Sequence, residues 1–178
     1  MARMKGIGFI LCGVLILSSC TGIPEGIQPI THFEIEKYLG QWYEIARLDH
    51  SFERGMAGVT ATYSMREDGG IKVLNEGFLA NENFWDQAEG KAYFISQGDV
   101  AHLKVSFFGP FYGSYIVFQL GDNYDYAFVT STNKSYLWFL SREAEINESL
   151  KQEFIELVTG LDYKIDELIW VDHNIVKD

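Results

Sequence analysis

Between residues 41 and 142 apolar and polar positions alternate with a period of two, and turn-forming residues interrupt the alternation at fairly even spacing. The pattern predicts strands at 41–47, 58–65, 71–79, 88–95, 101–108, 112–120, 126–131 and 136–142. "EDGG" at 67–70, "SQGD" at 96–99, "GP" at 109–110, "GDN" at 121–123 and "TNKS" at 132–135 suit hairpin connections. The connection at 47–58 is long. The period then changes: Ile146, Leu150, Phe154, Leu157, Val158 and Leu161 share one helical face, with Asn147 placed to cap its start and Gly160 to end it. A short strand at 167–173 is predicted to pair with the first. "THFE" at 31–34 fits a capping box, Thr31 at the N-cap and Glu34 reaching back, which predicts a helical turn running toward Leu39 and stopping at Gly40. Consecutive antiparallel strands joined by tight turns describe an all-β, eight-stranded up-and-down barrel with one C-terminal α-helix packed outside. A two-sheet sandwich is the alternative. A barrel of this size either fills with side chains or holds one small ligand.

Composition adds compartment and charge. The 178 residues are 47% hydrophobic and 15% aromatic, enough for one domain with a sizeable core. The formal charge of −11 and the lack of a basic run argue against nucleic-acid binding. The N-terminus has a basic start at Arg3 and Lys5, an apolar run from Gly6 to Leu17, and then "LSSC" ending at Cys20. The apolar run is too short to span a bilayer. "LSSC" resembles the bacterial lipobox, in which cleavage precedes an acylated cysteine; an ordinary cleaved signal is the alternative. Residues 1–19 then read as a lipoprotein signal peptide, 20–30 as lipidated Cys20 and tether, and 31–178 as the barrel domain. Loss of Arg3 and Lys5 would make the chain two charges more negative. Under the enteric-type sorting rule that accompanies the lipobox, Thr21 favours the outer membrane, with the protein on its periplasmic side. Cys12 lies in the apolar run, so no thiol nucleophile and no disulfide remain in the domain.

"GQWYEIAR" at 40–47 resembles the first signature block of the lipocalins. "DNY" at 122–124 occupies the place of the second, usually Thr-Asp-Tyr, and "LWFLSR" ending at Arg142 resembles the third. "ATYS", "GKAYF" and "KVSFFGPFYG" extend the similarity toward the bacterial outer-membrane lipoprotein lipocalins. The resemblance implies that Gly40 swings the chain beneath a barrel, that Trp42 points into its closed end, and that Arg142 lies across the indole as a structural plug. An arginine on tryptophan gains cation–π attraction and keeps its donors for nearby carbonyls.

With Trp42 inward, strict alternation puts Glu44 and Ala46 inside as well, and the parity of Arg142 brings in Leu140, Trp138 and Tyr136. Family register implies Val59, Ala61, Tyr63, Val73, Asn75, Leu103, Val105, Phe107, Tyr115, Val117, Val129 and Ser131. These line a mostly apolar pocket or fill a dry core; the small residues among them favour a pocket for a slender lipid chain. An inward Glu44 needs a partner: Arg142, a tyrosine hydroxyl, water or a cationic headgroup.

The function indicated is a membrane-anchored carrier of fatty acids, lysophospholipids or similar amphiphiles in the cell envelope. A filled barrel serving as a structural or partner-binding lipoprotein is the first rival, and a lipocalin-type enzyme the second. No Gly-x-Ser-x-Gly or His/Asp cluster supports catalysis. His32, His50, His102 and His173 are not spaced as metal ligands, and only His50, at the mouth, could serve a haem, so no cofactor is expected. A homodimer stays open.

Overall fold

The computed structural model describes residues 21–96 and 98–175. Residues 1–19, expected to be a signal peptide, and Cys20 lie outside them. Eight antiparallel strands follow the predicted order: β1 Gly40–Leu48, β2 Met56–Met65, β3 Ile71–Leu79, β4 Phe84–Phe94, β5 His102–Ser106, β6 Gly113–Leu120, β7 Tyr126–Thr130 and β8 Leu137–Ser141. β1 pairs with both β2 and β8, which closes the sheet into a barrel and removes its edges. A ninth strand, β9 at Leu168–Trp170, pairs antiparallel with the far half of β1.

Two apolar clusters divide the strand faces. Inside the barrel Trp42, Ala61, Tyr63, Val73, Leu103 and Val129 belong to one. Outside, Ile45, Ile116, Phe128 and Phe139 meet helix α2, Glu148–Gly160, in the other. Phe154 of α2 is fully buried, its ring 4.8 Å from both Phe128 and Phe139. Asn147 caps α2 by accepting a 2.8 Å bond from the Leu150 amide. After α2 the chain turns through Asp162, at φ 59°, and Tyr163 bonds to Thr130 Oγ1 at 2.8 Å.

The start of the domain departs from the capping-box reading. Thr31 makes an isolated bridge to Val100 and His32 turns the chain at φ 57°, so the short helix α1, Ile35–Tyr38, has Glu34 at its N-cap with no side-chain cap. Thr31 is committed to the sheet and cannot reach the helix. Ahead of it, residues 21–30 lie along the outer face of β5 and β6. The Ser114 hydroxyl donates to the Gly22 carbonyl at 2.9 Å, Ile27 is buried, and the Ile30 amide donates to Val117.

Candidate functional site

The barrel has unlike ends. At one, Gly40 enters β1 at φ 92°, a conformation that only glycine adopts without strain, and an added Cβ would sit 3.4 Å from an Arg142 nitrogen. That guanidinium lies 3.9 Å from the Trp42 ring. It donates to the carbonyls of Lys37, Leu39 and Gln41 at 2.8–3.0 Å and to that of Tyr124 at 3.2 Å. Trp42 in turn donates from Nε1 to Tyr38 O at 2.8 Å. One side chain thus ties α1, the start of β1 and the β6–β7 turn across the closed end.

Above this floor a cavity of about 20 Å³ is lined by Phe33, Tyr38, Tyr63, Val73, Leu103 and Tyr115 among others. It has room for one water. Tyr115 OH stands 2.7 Å from Tyr38 OH and 2.8 Å from Tyr63 OH, and burial raises all three pKa values well above the usual phenol range. Three hydroxyls carry three protons for two mutual bonds, so one O–H is left over for water or a ligand.

Register places most of the proposed lining residues. Trp42 faces Ala61, Ala61 faces Asn75, Tyr63 faces Val73, Leu103 faces Tyr115, Val117 faces Val129, and Val129 faces Trp138. Val105, Phe107 and Tyr115 are partly buried against the inner cluster, which includes Leu140. Val59 is buried, and buried Ser131 donates to Ser114 O at 2.7 Å. Asn75 Oδ1 is buried without a hydrogen-bond partner.

Ala46 is the exception. The register between β1 and β8 shifts between Glu44 and Ala46, because Glu44 faces Leu140 while Ala46 faces Phe139. The extra residue is a β-bulge that reverses the parity of β1. Ala46 therefore packs with Phe139 in the outer cluster, and Arg47, opposite Trp138, turns into the lumen.

Arg47 is 1% exposed and supplies the partner of Glu44, at 2.7 Å. Its other contacts are the carbonyls of Glu53 at 2.8 Å and Met56 at 3.1 Å. The 49–55 loop folds inward over the lumen. His50 Nε2 lies 2.9 Å from the Glu53 carboxylate, and Trp138 Nε1 donates to the same carboxylate at 3.1 Å. The His50 ring stacks on Phe52 at 3.9 Å and lies 5.2 Å from Trp138. Burial raises Glu44 well above its usual range, and the Glu53 charge adds to this against the pull of Arg47. Burial pushes Glu53 up too, but bonding to His50 and Trp138 and the charges of His50 and Arg47 outweigh it and leave Glu53 lowered. The two shifts run in opposite directions, so Glu53 gives up its proton before Glu44 does.

Alternation alone missed Arg47, because a bulge leaves no mark in an apolar–polar pattern. It also left out Tyr38 and Phe33, which reach the lumen from the N-terminal turn, and Ala92, which lines the cavity from β4. Among the described residues no group of three His, Cys, Asp or Glu is arranged to hold a metal ion. His102 faces outward under the N-terminal segment, its Nε2 3.2 Å from Ser114 Oγ.

Residues 33–173 match the family model described as a lipocalin-like domain. The chain is 52% identical over 169 residues to the outer membrane lipoprotein Blc of Vibrio cholerae serotype O1, covering 94% of this chain and 98% of that protein. It is 48% identical over 148 residues to outer membrane lipoprotein Blc of Escherichia coli K12, covering 83% and 84%. Among solved structures, insecticyanin from the tobacco hornworm Manduca sexta superposes with a TM-score of 0.66 at 17% identity, covering 85% of this chain and 86% of that one.

Proposed function

The chain belongs to the lipocalin family, and from that premise we propose that it is an outer-membrane lipoprotein, acylated at Cys20, that binds single-chain amphiphiles in its barrel. Fatty acids and lysophospholipids are the ligands of choice, carried on the periplasmic side. The observation that carries the reading is the lumen itself: a closed barrel whose inner wall is mostly apolar and aromatic, interrupted by the Glu44–Arg47 pair and Asn75, and covered by one foldable loop. The relatives' names supply the membrane and the lipoprotein character. The family and the relatives' names point to a binding protein rather than an enzyme.

An acyl chain does not fit a cavity of about 20 Å³, so uptake requires the 49–55 loop and the Tyr and Trp side chains beneath it to move. The same small volume favours the second reading, a filled barrel that serves as a partner-binding lipoprotein. Native mass spectrometry of gently purified protein, followed by titration with a fluorescent lysophospholipid, separates the two. Saturable one-to-one binding is expected, and Ala92→Trp, which projects an indole into the lumen, should weaken it about tenfold, or about 1.4 kcal/mol. A wild type that retains no lipid and takes up no amphiphile would overturn carriage and leave the filled barrel.

A further inference from the structure

The strands run so that Leu48, Met56, Leu79, Phe84, Ser106, Gly113, Thr130 and Leu137 meet at the end opposite the Trp42–Arg142 floor. Two loops and the first residue of β4 carry exposed rings at this mouth: Phe108 and Phe111 are 80% and 73% exposed, Phe84 54% and Phe52 51%. Rings this exposed, grouped at one end of a domain, mark a contact surface.

What covers the surface follows from where the chain comes from. Residues 21–30 run up the outside of β5 and β6 from the closed end, and Gly22 is fastened to Ser114, the second residue of β6 at the mouth. Gly22 is two positions from Cys20, no more than about 7 Å of extended chain. The anchor therefore leaves the domain beside the 107–112 loop, and Ile23, which follows Gly22, is itself 44% exposed. Charge agrees. "FFGPFYG" at 107–113 has no Asp, Glu, His, Lys or Arg, and in the 49–55 loop across the mouth Asp49 pairs with Arg54 at 2.6 Å while Glu53 is buried against Arg47. The other mouth loops carry one charge of each sign, Glu82 and Lys134, whereas the closed-end turns carry Glu67, Asp68, Asp99, Asp122 and Asp125, of which only Asp68 is paired there, with Arg66 at 2.9 Å. In a strongly acidic protein the mouth is the end that an anionic bilayer repels least.

We propose that the mouth is a membrane-docking face, on which Phe52, Phe84, Phe108 and Phe111 enter the same leaflet that holds the Cys20 acyl chains. The inference rests on acylation of Cys20. Acyl chains and rim then give two attachments, which hold the barrel upright where one alone would let it swing. An amphiphile passes between leaflet and lumen without crossing bulk water.

The test uses the full-length processed lipoprotein in phosphatidylethanolamine–phosphatidylglycerol vesicles with brominated acyl chains, after intact mass has read the acyl groups on Cys20. Phe111→Trp, with Phe108→Trp as a second reporter in case one misfolds, should show blue-shifted emission that the bromolipid quenches. Met65→Trp, at an exposed closed-end position, should show neither. Quenching at Met65→Trp alone, or at none of the three, would overturn the proposal. So would a blue shift without quenching, which would mean that protein, such as a second copy of this chain, covers the rim. Absence of acyl mass on Cys20 would overturn anchor and docking together. Lysophospholipid titration of the same preparation reads carriage separately, so a barrel that binds amphiphile with an unquenched rim loses only the docking.

Discussion

Glu44, Arg47 and Glu53 form a buried group in which protonation, and not only geometry, decides stability. Burial and the Glu53 charge raise Glu44 above its usual value of 4.5, so ionising it is harder in the folded chain than in the unfolded one. The stability it contributes is complete below 4.5 and is lost as pH climbs through the raised value. Glu53 is lowered, so its contribution is present above 4.5 and is lost as pH falls through its own folded value. Wild type should therefore weaken on the alkaline side of that window, and Glu44→Gln, which keeps the shape of the protonated acid, should remove that loss and leave the acid limb in place. Urea melts across the range measure this. At neutral pH the variant should lie within about 1 kcal/mol of wild type; a loss of about 3–5 kcal/mol would mean that Glu44 is ionised and that Arg47 has been left with an uncompensated charge.

Elements were legible in the sequence wherever the physics is periodic. All eight barrel strands, the outer helix and the return of β9 to β1 follow from alternation, helical spacing and turn chemistry; strand ends differ by a few residues, pairing running past the pattern at the start of β2 and β4 and stopping short of it in β5, β7 and β8. Ala46 and Arg47 were not legible, since the bulge at Ile45 changes the face of every later residue in β1 without changing any residue type. Thr31 misled for a related reason: its capping signature is local, and pairing with Val100 is not. The plug is an element-scale device. Arg142→Ala should cost about 2–4 kcal/mol in urea melts, because it removes the ring contact and leaves carbonyls of α1, β1 and the β6–β7 turn unpaired. Arg142→Lys should recover only part of that, a lysine having one donor group where the guanidinium forks. Superimposable melts for wild type and Arg142→Ala would refute the clamp.

On the scale of the whole molecule, a rigid floor and a movable cover divide the labour of a carrier. The floor is bonded to three elements at once, whereas the 49–55 loop is fixed to the lumen mainly through Glu53, by its carboxylate to Trp138 and by its carbonyl to Arg47, with His50 bracing that carboxylate from within the loop. Glu53→Ala removes the carboxylate contacts and keeps the carbonyl one. The cluster need not collapse, because without the Glu53 charge Glu44 can ionise and balance Arg47. The loop then opens more often, and since uptake and release cross the same barrier, both should accelerate by about tenfold while Kd changes little. The lost buried hydrogen bonds should cost about 1–3 kcal/mol of stability. Stopped-flow mixing of a fluorescent lysophospholipid with wild type and variant reads the rates, and equilibrium titration reads Kd. Unchanged rates would show that the loop is not the gate; a weaker Kd at unchanged association rate would make Glu53 part of the binding surface instead of the latch above it.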